Sequence, residues 1–100
     1  MNYEMVLCII NAGHSQDLME AAKRAGARGG TIIRARGTAN PQAEELFHIP
    51  IQPEKEIVMI LVKSDIKDAV LKAAYDSCGL DSAGQGIAFS IPVDRAVGLS

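Results

Sequence analysis

The sequence predicts an α+β fold with a β-α-β-β-α-β element order, and three observations predict it. Two six-residue apolar runs, Met5 to Ile10 and Ile57 to Val62, read as strands buried on both faces. Each is followed by a stretch with apolar residues at helical spacing that stops at a glycine, and then by a more mixed strand. The two halves are similar in length and are joined by a polar stretch without core periodicity.

Tyr3 to Asn11 forms the first strand, rich in Val, Ile and Leu and closed by the breaker Asn11-Ala12-Gly13. In the first helix Ser15 is placed to cap, Asp17 lies in the first turn, and Leu18, Ala22 and Ala25 make an apolar stripe. Gly26 ends it as a C′ residue would. Thr31 to Arg36 is the second strand, with Ile32, Arg34 and Arg36 on one face and Thr31, Ile33 and Ala35 on the other. Gly37 to Pro53 reads as a long loop, and loops of that length in compact domains are usually functional. Glu56 to Val62 is the third strand. Ser64 is placed to cap a second helix, with Ile66, Ala69, Val70, Ala73 and Ala74 on one face and Gly79 at its end. Ile87 to Ile91 is the fourth strand, closed by Pro92, and the residues beyond it are expected to form one helical turn.

This order is that of a ferredoxin-like βαββαβ domain, an antiparallel sheet with both helices on one face and the first and third strands in its middle. The composition of the strands agrees with that order, since the first and third are apolar on both faces. The face without helices then needs a second cover, and another copy of the chain supplies it. Oligomerisation follows from burial alone.

One hundred residues make one domain, and 48% apolar with 22% charged residues suits a globular protein. A net charge of −2 does not point to nucleic acid or an acidic membrane surface. The apolar runs are far too short to span a membrane, and Glu4 without a preceding Lys or Arg argues against a signal peptide, so a cytoplasmic location is expected. Cys8 and Cys78 are too far apart for a CxxC metal pair and read as small buried hydrophobes.

Two segments carry a resemblance to a known family. Gly26-Ala27-Arg28-Gly29-Gly30-Thr31-Ile32-Ile33-Arg34-Ala35-Arg36-Gly37 resembles the helix-to-strand passage of the PII (nitrogen regulatory protein P-II) signal-transduction family. Gly84-Gln85-Gly86-Ile87-Ala88-Phe89-Ser90-Ile91-Pro92-Val93 is similar to that family's B-loop and the strand after it. The resemblance implies a homotrimer that binds adenine nucleotides in clefts between neighbours. It also implies a target protein, such as a membrane transporter or a metabolic enzyme, engaged by a T-loop at about residues 38–52, with a B-loop at about residues 80–86. That T-loop is shorter than is usual in the family.

By the same resemblance, Thr31 and Gly37 match positions that meet the adenine and the start of the T-loop, with Thr38 next to them. Ile9 matches an apolar contact to the base, and Lys55 a basic residue facing the nucleotide or the T-loop base. Gly84, Gln85 and Gly86 match the B-loop, whose glycines let backbone N–H groups approach phosphate. Where the family carries a basic residue after the second B-loop glycine, this chain has Ile87, and its two C-terminal arginines fall on Gly98 and Ser100, where the sequence ends. The modified loop tyrosine is absent, the tyrosines being Tyr3 and Tyr75. A triphosphate is normally held by Arg or Lys, so the expected ligand is ADP or AMP before ATP. No other cofactor is expected.

Lys23, Arg24, Arg28, Arg34 and Arg36 hold half of the basic residues within fourteen positions. Arg34 and Arg36 are candidates for phosphate or partner contacts, against the plainer reading of a solvated edge-strand face. His14 and His48 could meet across subunits around a metal, although no second ligand stands at a metal-binding spacing. Asp65 and Asp68 read as first-turn charges of the second helix. Glu44 to Ile49 is the loop's amphipathic patch and a candidate partner contact. A regulatory module is the favoured function. An enzyme is the alternative, as is a metal-binding trimer, but Asn11-Ala12-Gly13-His14-Ser15 lacks the arginine of an acylphosphatase phosphate loop. RNA binding is set aside because the third strand has no aromatic on which bases could stack.

Overall fold

The computed structural model describes residues 2–38, 53–82 and 85–99. In chain order its elements are β1 (Tyr3–Asn11), α1 (Ser15–Arg24), β2 (Thr31–Arg36), β3 (Glu54–Lys63), a 3₁₀ turn (Ser64–Ile66), α2 (Lys67–Cys78) and β4 (Gly86–Val93). The strands form one sheet in the order β2-β3-β1-β4, with every neighbouring pair antiparallel. This is the ferredoxin-like arrangement, with the two most apolar strands central as the sequence implies.

The two faces of the sheet differ in cover. Val6, Cys8 and Ile10 of β1 and Val58, Ile60 and Val62 of β3 are buried beneath Leu18 and Ala22 of α1 and Val70 and Ala74 of α2. Burying one such aliphatic side chain contributes about 1.5–3 kcal/mol, so this layer carries most of the fold. The alternate residues point the other way. The register places Ile91, Met5 and Leu61 in one row, Phe89, Leu7, Met59 and Thr31 in the next, and Ile87, Ile9, Ile57 and Ile33 in a third. Among the described residues no helix covers these rows, and Ile87 is 57% exposed, Ile91 46% and Ile33 43%.

The glycine-ended helices form as predicted, with different caps at their starts. Gly26 (φ +112°) lets its own N–H reach the Lys23 carbonyl and that of Ala27 reach the Ala22 carbonyl, a Schellman closure. Gly79 ends α2 in the left-handed region at φ +62°. Ser15 does not cap α1: His14 holds the cap position without a side-chain bond, and Ser15 is the buried first residue of the helix. Just ahead of the cap residue, the Gly13 N–H donates to Glu56 Oε1 of β3 at 2.8 Å. Ser64 likewise opens a 3₁₀ turn, and its N–H is taken by the Asn2 carbonyl.

The inward stripe runs through Ile66 at the end of the 3₁₀ turn and Val70, Leu71, Ala74 and Cys78 of α2, whereas Ala69 is exposed. β3 extends beyond the expected bounds, to Glu54 where Ala35 and Arg36 of β2 pair with Lys55 and Glu54, and to Lys63 which pairs with Tyr3 of β1. β4 runs on to Val93 with Pro92 inside it, which is tolerated because β4 is an edge strand. Residues 95–99 form no helical turn. Burial pushes the Cys8 thiol up to about 12, with the nearby Cys78 adding to the shift. No helix among the described residues is long and apolar enough to cross a membrane.

Candidate functional site

One end of the sheet gathers most of the singled-out residues. β1 leaves the sheet at Asn11, β3 enters at Glu54 after the long segment, and β2 exits at Arg36. The neck of that segment is closed by the backbone, with the Gly37 N–H donating to the Pro53 carbonyl at 2.7 Å. The Ala12 N–H donates to the Glu54 carbonyl at 3.0 Å and ties the end of β1 to the same point.

Lys55 lies beneath this neck. It shares the helix-free face with Asn11 and Ala35, one row beyond Ile9, Ile57 and Ile33. Its stem runs against Gly37, where a Cβ would stand 3.0 Å from Lys55 Cε and 3.3 Å from Cγ. Its ammonium donates to Asn11 Oδ1 at 2.5 Å. Asn11 is buried, with 7% of its surface exposed.

Gly86 opens β4 opposite Ile10, at the same end of the sheet. Its backbone has φ +135°, and a Cβ there would meet the Ile9 carbonyl oxygen at 2.4 Å. Only glycine brings β4 this close to β1. Gln85 precedes it, half-buried, with its N–H 3.4 Å from the Ser82 carbonyl. Gly86 and Ile87 also border a groove of about 520 Å³ that runs along β4 to Leu71, Tyr75 and Leu80 of α2.

Ile9, Gly37, Lys55, Gln85 and Gly86 are thus brought to one end of the sheet, with Thr38 adjoining Gly37. Thr31 is not brought there. It pairs with Met59, four residues along β3 from Lys55 and about 13 Å away at strand rise. It lies on the opposite edge strand from Gly86, three strand spacings or about 14 Å across the sheet. Gly84, residues 39–52 with Glu44 to Ile49 and His48, and Ser100 lie outside the described residues.

Arg34 and Arg36 project from the helix-side face of β2, opposite Glu56 and Glu54 respectively, and so from the face away from Lys55. Asn11 is the residue that sequence reasoning missed, having been read as a strand breaker. The signal was present in the alternation Met5, Leu7, Ile9, Asn11, which puts a polar side chain at the end of an apolar file.

Comparison with known proteins agrees with this architecture. A plant PII crystal structure, that of Arabidopsis thaliana PII bound to citrate, superposes with a TM-score of 0.76 at 22% identity, over 97% of this chain and 80% of that one. A putative PII-like signalling protein from Thermus thermophilus superposes with a TM-score of 0.69 at 20% identity, over 93% of this chain and 87% of that one. None of the curated proteins matches the chain. A homotrimer is consistent with this fold and with the helix-free apolar face. The family model described as nitrogen regulatory protein P-II matches residues 3–100, and the chain belongs to that family.

Proposed function

We propose that this protein is a trimeric regulatory module and not an enzyme. In this reading a small anionic effector enters clefts between neighbouring copies, and the segment from Thr38 to Gln52 passes its presence to a target protein. The observation that carries the reading is Lys55, a cation packed against Gly37 at the neck of that segment. An anion drawn to the ammonium acts directly on the residues that hold the neck together, so ligand affinity and loop arrangement are linked. The separation of Thr31 from Gly86 favours a cleft between chains, because a ligand touching both positions must be shared by two copies.

An adenine nucleotide of low charge, ADP or AMP, is the effector class that this site supports best. Gly86 keeps a backbone donor for one phosphate, while Ile87 and Gly98 supply no cation for more. Each charge-assisted contact is worth about 1.5–3 kcal/mol, so lacking two or three weakens a triphosphate by orders of magnitude. By analogy with the family, the target is a membrane transporter or a metabolic enzyme in the cytoplasm. Calorimetric titration with AMP, ADP, ATP and cyclic dinucleotides tests the ligand. Micromolar ADP or AMP with weaker ATP is expected, and the reverse order, or no binding by any of them, overturns it.

A further inference from the structure

The environment of Lys55 singles out Asn11. The register places β1, β2, β3 and β4 residues on the helix-free face, and no Asp or Glu is among them. The other lysine of this face, Lys63, stands at the far end opposite Tyr3. The acids flanking Lys55 in sequence point to the other face, where Glu54 lies across from Arg36 and Glu56 is engaged with Gly13. Among the described residues, the polar group that receives the Lys55 ammonium is therefore a neutral amide oxygen.

An ammonium has three donors and a full charge, and an amide oxygen takes up one donor without cancelling the charge. An aspartate of nearly the same shape would hold Lys55 in the same place and neutralise it. On the present reading of Lys55 as the effector's cation, we propose that Asn11 is the positioning residue of the site. Its buried amide fixes the ammonium beneath Gly37 while leaving the charge and the remaining donors to an anion.

Calorimetry with ADP on the intact protein, comparing wild type with Asn11→Asp, Lys55→Met and the double variant, tests this. Asn11→Asp and Lys55→Met should each weaken ADP at least tenfold, and the double variant should bind no more weakly than the poorer single. Binding by Asn11→Asp within twofold of wild type, or losses that multiply in the double variant, overturns the assignment. Amide exchange at Gly37 in the ligand-free protein supplies a readout that needs no nucleotide. Asn11→Asp keeps the acceptor and should leave Gly37 exchange within twofold, whereas Asn11→Leu frees the lysine stem and should speed it several-fold. Unchanged exchange in Asn11→Leu overturns the positioning role. If wild type binds none of AMP, ADP or ATP, the effector reading fails by itself, and Gly37 exchange alone decides the role of Asn11.

Discussion

Gly86 and Ile9 are locked backbone to backbone: a Cβ on Gly86 would stand 2.4 Å from the Ile9 carbonyl oxygen. Neither partner is a flexible side chain, so the clash is relieved only by moving β4 away from β1. Gly86→Ala is expected to cost about 2–4 kcal/mol, combining the overlap with a backbone at φ +135° that alanine resists. Gly29→Ala is the control, because a Cβ there meets nothing within 4 Å. Urea denaturation should show a large fall in midpoint for the first and little change for the second.

Leu7 sits in the middle of the helix-free face, between Met59 and Phe89. A charge at this position does not enter the helix-side core, so Leu7→Asp should leave far-ultraviolet circular dichroism nearly intact. It should, however, break contacts between copies, since an unpaired charge buried in an apolar interface costs several kcal/mol. Light scattering is expected to move from three times the 10.6 kDa chain to the chain itself. A wild type that already scatters as 10.6 kDa refutes the trimer.

Arg34 and Arg36 face Glu56 and Glu54 on the exposed edge strand. Exposed cross-strand charge pairs contribute about 0.2–1 kcal/mol each. The double variant Arg34→Ala, Arg36→Ala should therefore lose little stability and, pointing away from Lys55, should keep ADP affinity within about threefold, under 1 kcal/mol. A tenfold loss in calorimetry would assign the arginines to the ligand.

Cys8 is wholly buried and its thiol is pushed up to about 12 from an ordinary 9.0. It should react with a disulfide reagent only as fast as the protein unfolds, since the thiolate is the nucleophile. Stability is unaffected by this group below pH 9.0, where both folded and unfolded chains keep the proton. Above that the unfolded chain ionises and the folded one does not, so stability falls by up to about 1.4 kcal/mol per pH unit until about pH 12. Urea midpoints followed into that range should fall less steeply for Cys8→Ala than for wild type.

What could be read from the sequence was whatever local chemistry decides. Tyr3 to Asn11 and Thr31 to Arg36 have the bounds that their patterns imply, and Gly26 and Gly79 end their helices through their backbone conformations. Ser15 and Ser64 were misjudged because each helical segment starts one residue earlier than their hydroxyls suggest, with His14 and Lys63 at the cap positions. Pro92 was read as a terminator, yet at an edge its missing N–H costs the ladder nothing. The bond between Lys55 and Asn11 spans 44 residues and exists only in one register of β1 against β3, so residue type alone did not announce it.

The clasp between Gly37 and Pro53 means that the chain leaves and re-enters the sheet at one point, whatever lies between. With the two ends fixed there, each doubling of the length of chain between them adds only about 0.6 kcal/mol of closure entropy. A segment of a different length grafted between Thr38 and Pro53 is therefore expected to shift the melting temperature of the sheet only slightly, because the two ends are already held together by the backbone.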